Sequence, residues 1–246
     1  MDHAPPDPTR PPRRKRRLRR WHWATIAAFM LLGLPALWIG LAYGGLPRLW
    51  SHHEHKLIGQ RDQIVSYTAQ DIPGDPINLR LQGERGAIEC AFRRAGWSLA
   101  DPVDLRSGLG IAGSVLFGRP YPQAPVSPLY VADAQQEFAF QRDEGKSADK
   151  RHHIRFWRVG PNDWMAAATF DRGVGLSLFT LQITHHIGPK VDDERDAAGA
   201  LLRTNGAQLA DAMPSRITPG WHRNGGGDKY FTDGMIHVYR LGGGGC

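Results

Sequence analysis

Three short stretches of this chain concentrate side chains able to do chemistry. They are His152-His153 in RHHIRFW, Asp171-Arg172 in FDRGVG, and His185-His186 in THHI, the last followed by the acidic run Asp192 to Asp196. A carboxylate beside an imidazole steadies its protonated form, and a guanidinium offers a planar fork to an oxyanion. His152, Asp171 and Arg172 are therefore the candidate catalytic set, suited to a phosphate-bearing substrate or to acid–base work. His153, Arg155, His185 and His186 are candidate ligand contacts. His185 or His186 with Asp192 or Asp196 would join a strand end to a helix start, a place where a divalent metal could be held. Each set also has a plainer reading: a closed structural His-Asp pair in the first case, carboxylates complementing a helix dipole in the last. A further cluster, His52-His53-Glu54-His55, could sense pH or collect metal, or could simply be solvated polarity. The glycines around Arg172 form no dinucleotide loop, and there is no G-x-S-x-G, H-E-x-x-H or C-x-x-C.

The elements that would position these groups follow from periodicity. Ile77, Leu79 and Leu81 alternate with polar residues as in a half-buried strand. Ile88, Ala91, Phe92 and Ala95 recur at helical spacing up to Gly96. A second helix is expected over residues 104–117, weakened by its glycines. From Val126 the period becomes that of strands, over residues 127–132, 137–142, 151–159, 164–170 and 176–187, and a helix follows over 191–205. The fold class is thus α+β, an antiparallel β-meander with flanking helices. Residues 230–241 supply a last strand. Pairing Val159 with Trp164 across the turn at Gly160 to Asp163 sets His152 opposite Asp171. A turn at Asp171 to Gly175 would then carry His185-His186 to the far end of the sheet, about 25–30 Å from His152-His153.

What precedes this domain sets its context. Trp23 to Tyr43 is a run without charge, directly behind the basic block Arg13 to Arg20. As a helix it is about 30 Å long, the thickness of a bilayer's hydrocarbon core. Interfacial aromatics bracket it at Trp21, Trp23, Trp38, Tyr43 and Trp50. Eight Lys/Arg precede the run and the next basic residue is Arg48, so the positive-inside bias places the N-terminus in the cytoplasm and the rest outside. Ala42-Tyr43-Gly44 would serve as a cleavage site, yet the apolar run is longer than a usual signal peptide core, and a retained anchor is expected. The expected divisions are a basic tail (1–22), a transmembrane helix (23–43), a juxtamembrane linker (44–74) and one domain (75–241).

The net charge of +7 belongs to the tail. Residues 1–20 hold eight Lys/Arg against two Asp/Glu, and the remainder 23 against 22. A nearly neutral domain has no phosphate-backbone footprint, so nucleic acid is excluded as a partner, while the tail suits anionic lipid headgroups. Cys90 lies among Ile88, Ala91 and Phe92 and is expected to be a reduced core thiol, although pairing with Cys246 in an oxidising compartment is open to it.

Several blocks carry a resemblance: Arg119 to Tyr130 (RPYPQAPVSPLY), Phe138 to Gln141 (FAFQ), Arg151 to Trp157 (RHHIRFW), Ala168 to Ser177 (ATFDRGVGLS) and Gln182 to Ile187 (QITHHI), with Asp75-Pro76-Ile77-Asn78 before them and Asp192 to Asp196 after. In order and spacing these resemble the LssY C-terminal domain family. That family is bacterial, and its domain is often attached to polytopic membrane regions similar to DedA or type-2 phosphatidic acid phosphatase proteins, with no established activity of its own. The resemblance implies a lipid or envelope context at the bacterial inner membrane, with the bilayer, polytopic membrane proteins or lipid-linked anionic ligands as partners. This chain has one apolar helix and no PSGH motif, which argues that it is not itself such a phosphatase. The expectation is a non-catalytic binding or accessory module; the alternative is a hydrolase, metal-assisted or not, acting on a phosphate-bearing envelope substrate.

Overall fold

A computed structural model describes residues 13–46, 48–49, 64–69, 71–101, 128–132, 134–144, 150–177, 181 and 183–242, with backbone alone over 13–20 and at 174, 176 and 183. Its N-terminal helix starts as α1 (Arg13–Ala28), widens to a π turn at Phe29–Gly33, resumes as α2 (Leu34–Gly40) and ends in a second π turn at Leu41–Gly45. Pro35 accounts for the first widening, because it has no N–H to give and its ring would strike the carbonyl four residues earlier. The stretch Trp21–Gly45, 25 residues whose most apolar 18-residue window has mean hydropathy 2.0, is long and apolar enough to cross a membrane.

The packed body is mixed α+β. Its strands begin with β1 (Val65–Tyr67), β2 (Pro73–Pro76) and β3 (Leu79–Gln82), followed by helix α3 (Arg85–Arg94) and strand β4 (Ser98–Leu99). Next come β5 (Tyr130–Val131), β6 (Ala134–Gln135), β7 (Phe138–Asp143), β8 (Arg151–Gly160), β9 (Asp163–Leu176) and β10 (Ile183–Ile187). Helix α4 (Val191–Thr204) leads to β11 (Gln208–Pro214), β12 (Gly220–Arg223), β13 (Lys229–Thr232) and β14 (Met235–Arg240). The large sheet has the order β11-β14-β3-β9-β8-β7-β4, with β10 on the far end of β9; β2-β1-β5-β6 form a second sheet and β12-β13 a ribbon. The run β7 to β10 is antiparallel, and β14 joins β3 in parallel.

Side-chain alternation gives the large sheet two unlike faces. Even-numbered residues of β8 and β9 (Ile154, Phe156, Trp164, Ala166, Ala168) pack with Ile88 and Phe92 of α3 and Leu202 of α4. Odd-numbered Trp157 and Ala167 pack instead with Ile77, Leu129 and Ile236. Helix α3 ends in a Schellman motif at Gly96, whose φ is 78°. Trp97 N–H donates to Phe92 O at 3.0 Å and Gly96 N–H to Arg93 O at 3.0 Å. The Trp97 ring meets Phe92 edge-on, with centroids 5.4 Å apart.

Two expectations about position fail here, each for a local reason. Arg158 pairs with Trp164 and Gly160 with Asp163, so Val159 is an extra, bulged residue, and below it the register is Arg151 with Asp171 and His152 with Phe170. A one-residue slip exchanges faces. His152 still shares its face with Ile154 and Phe156, but Asp171 lies on the other one. Nor is there a turn at Asp171 to Gly175: β9 runs straight through to Leu176, and β10 returns to pair His185 with Val174 and Ile187 with Asp171. The glycines serve close approach, since a Cβ on Gly175 would sit 2.6 Å from His186 Nε2. The double-histidine motifs are therefore neighbours around Asp171, not opposite ends of a sheet.

Cys90 is disulfide-bonded, which corrects the reduced thiol expected from its apolar surroundings. The chain's one other cysteine, Cys246, lies outside the described residues, as do the expected helix over 104–117 and the cluster His52 to His55.

Candidate functional site

On the odd face, beyond Trp157, the apolar pattern stops and a buried network of charged residues begins. Strand β8 projects Arg151, His153 and Arg155 there, all buried; β9 adds Thr169 and Asp171, β2 adds Asp75, and β10 adds His185. Asp75 is fixed by the strand pair that carries it, because Ser66 Oγ accepts from its backbone N–H at 2.9 Å and donates to its carbonyl at 3.0 Å. Arg155 Nη1 donates to Asp75 Oδ2 in a very short contact.

Asp171 is the hub. Arg151 Nε donates to its Oδ2 at 3.2 Å, and the same oxygen lies 3.3 Å from His185 Nδ1, while Oδ1 lies 3.2 Å from His153 Nδ1. The two imidazole approaches are within ion-pair range but off the line of a hydrogen bond, which leaves both Nδ1 atoms and Oδ1 without one. Ring protons can be assigned from the partners, since a guanidinium only donates. His153 Nε2 faces Arg155 Nη1 at 2.5 Å and Thr169 Oγ1 at 2.7 Å, and His185 Nε2 faces Arg151 Nη2 at 3.3 Å. Both Nε2 atoms are thus acceptors, and both rings carry a proton on Nδ1, toward Asp171.

The electrostatics are self-cancelling: two guanidinium groups against two carboxylates. Burial pushes Asp171 upward, but His153, His185 and Arg151 outweigh it and hold the carboxyl well below its usual range. Asp75 behaves alike, with Arg155 and His153 overcoming burial. Burial dominates at His185 and, with Arg151 beside it, takes its pKa down to about 4 in spite of Asp171. Tyr230 is pushed up to about 12 by burial and by Asp75.

The network opens into a pocket of about 100 Å³, lined among others by Asp75, His153, Arg155, Asp171, Ser177 and His185 and closed on one side by the turn Asn224 to Gly226. That volume holds about three waters or one phosphoryl-sized group. Beside it, Nδ1 of both histidines, Arg155 Nε and Asp171 Oδ1 are buried without a hydrogen bond. A lining that includes Arg155, His153, His185 and Ser177 suits an oxygen-rich ligand.

The expected site residues thus distribute unequally. Asp171, His153, Arg155 and His185 meet in the network. His152 instead points to the helix face, where its Nδ1 contacts Glu194 at 2.8 Å and its ring lies 4.9 Å from Phe170. Arg172 and His186 turn to Asp228, at 2.9 Å each. Asp192 accepts from the Asp233 N–H at 2.6 Å and Thr232 Oγ1 at 3.1 Å, and Asp196 binds Arg195 at 2.9 Å. His185, His186, Asp192 and Asp196 therefore do not converge, and among the described residues no three His, Cys, Asp or Glu side chains stand as a metal site. Asp75, Gln141, Arg151, Thr169 and Ser177 also belong to the cluster, although their residue types and local spacing do not mark them as reactive. Gln141 accepts from Arg151 Nη1 at 2.8 Å. A signal existed, because all five lie in blocks that carry the family resemblance: Asp75 in DPIN, Gln141 in FAFQ, Arg151 in RHHIRFW, Thr169 and Ser177 in ATFDRGVGLS.

The family model described as LssY C-terminus matches residues 59–236. The chain belongs to that family: its C-terminal body is an LssY C-terminal domain, preceded by a helix long and apolar enough to cross a membrane. No curated protein and no solved structure matches it.

Proposed function

We propose that this protein is a single-pass anchor in the bacterial inner membrane whose extracytoplasmic domain binds a phosphate-bearing or similarly oxygen-rich envelope group in the Asp171 pocket, without turning it over. The observation that carries the reading is the pocket's lining: Arg155, His153, His185 and Ser177 stand around a space of about 100 Å³ at the edge of a charge-balanced network. The basic block before the apolar helix supports the orientation. The disulfide-bonded state of Cys90 suits an oxidising compartment.

One arrangement favours hydrolysis instead. Thr169 Oγ1, His153 Nε2 and Asp171 line up as hydroxyl, base and orienting carboxylate, with the hydroxyl 2.7 Å from the ring. Yet Thr169 is 0% exposed and does not line the pocket, and the same nitrogen already faces Arg155. A nucleophile that no substrate can reach carries no reaction.

The test is thermal denaturation of the full chain in detergent with inorganic phosphate, glycerol 3-phosphate and a short-chain phosphatidic acid. Binding raises Tm in a saturable manner, and His185→Gln weakens it. Absence of stabilisation by all three ligands would sink the proposal, and release of phosphate from glycerol 3-phosphate or phosphatidic acid, lost in Thr169→Val, would install the hydrolase.

A further inference from the structure

The ribbon β12-β13 has an outer face that the other described residues leave uncovered. Its register sets Trp221 opposite Phe231 and Arg223 opposite Lys229, so by alternation all four side chains share one side. All four are exposed, Trp221 at 64% and Phe231 at 42%, and the two rings meet edge to face at 5.7 Å. The inner side is spoken for: Tyr230 packs with Ile187 and Val191, and Thr232 binds Asp192. An exposed aromatic pair backed by two cations in directly opposed positions is unfavourable by itself in water, through both apolar exposure and like-charge repulsion. The one carboxylate between Gly220 and Thr232 is Asp228, which is 3% exposed and already holds Arg172 and His186. The face is therefore complementary to an anionic surface that also accepts aromatic rings.

The chain's own connectivity indicates which surface. The apolar helix ends at Gly45 and the body starts at Ile64. The backbone between them extends at most about 65 Å. The body is therefore held within a few nanometres of the headgroups. Ile64 N–H donates to Ser215 O at 3.0 Å, and Ser215 N–H donates to Gly234 O at 2.8 Å. The tether thus enters the body beside the base of the ribbon, five residues before Gly220 and two after Thr232. Bilayer interfaces favour Trp and Phe at headgroup depth, and anionic lipids attract Arg and Lys.

We infer that the Trp221-Phe231-Arg223-Lys229 face docks on the anionic lipid surface of the membrane that carries the chain's own helix. The turn Asn224 to Gly226, which joins the two strands of this ribbon, also lines the Asp171 pocket, so docking brings the pocket's rim to the headgroup layer. The inference rests on the anchored reading above but not on the pocket's ligand.

The experiment uses the full chain reconstituted in phosphatidylcholine vesicles with or without phosphatidylglycerol, carrying brominated acyl chains as a quencher. Carbonate extraction first establishes that the chain is anchored, independently of docking. The Trp221 contribution is the difference between wild type and Trp221→Phe. Docking predicts that this component is quenched in the phosphatidylglycerol vesicles, that salt reduces the quenching, and that Arg223→Ser with Lys229→Ser removes its dependence on phosphatidylglycerol. Equal quenching of wild type and Trp221→Phe in an anchored, folded chain overturns the inference. So does shielding of Trp221 that depends on protein concentration and not on lipid charge, which would make a second copy of the chain the occupant.

Discussion

The two faces of the large sheet are built from the same strands and are opposite in kind. On the helix side, Phe92, Phe140, Ile154, Phe156 and Trp164 are all at 0% exposure and form a core of ordinary apolar packing. On the other side the same strand β8 buries Arg151, His153 and Arg155, which bond to Asp75, Asp171, Gln141 and Thr169. The difference teaches why each motif is a pair of histidines. Alternation sends His152 to Glu194 on the helix side and His153 to Asp171 on the site side, and in β10 it divides His185, at Asp171, from His186, at Asp228. One member of each pair belongs to the network and the other closes a contact elsewhere.

The largest effects should come from breaking each face at its centre. Asp171→Ala leaves Arg151 and two imidazoles without their shared carboxylate and is expected to cost about 3–5 kcal/mol in denaturant unfolding, together with all stabilisation by phosphate compounds. Asp171→Asn keeps the shape and should lose about 1–3 kcal/mol. Phe156→Ala should also cost about 3–5 kcal/mol, through a cavity on the helix face, yet leave the ligand-dependent rise in Tm intact. If Phe156→Ala abolished ligand stabilisation as well, the two faces would not be separable.

A pH series sharpens the contrast further. His185 has a folded pKa of about 4 against an ordinary 6.5, so the unfolded chain binds the extra proton between those values. Stability contributed at this site is present above about pH 6.5 and is lost as pH falls toward 4, by about 2–3 kcal/mol. His185→Gln should flatten that part of the profile, leaving a smaller slope of the same sign from His237, which burial also pushes down. An unchanged profile would show that His185 is not the buried base the geometry makes it. The smallest effect is expected at His152→Ala, about 1 kcal/mol from the lost Glu194 contact, with no change in ligand binding.

Local pattern determined a good deal of this molecule. The apolar helix, α3 with its Gly96 stop, the strand-rich middle and α4 with Asp192, Asp193 and Glu194 in its first turn follow from period, cap and charge. Motif spacing identified the family and named Asp171, His153, Arg155 and His185 as chemically interesting. The sequence did not determine which of them meet. A single bulged residue, Val159, exchanges His152 for Arg151 opposite Asp171, and its energetic signature is too small to read locally. The glycines 173 and 175 read as a turn because glycine is common to turns and to close strand packing alike, and only the His186 ring against Gly175 decides between them. Asp75 reaches Arg155 across 80 residues of chain, and no local period reports a contact made by the pairing of β2 with β1. Which residues are buried was largely written in the chain; which charges are buried together was decided by the register of the strands, because a shift of one position moves a side chain through the sheet.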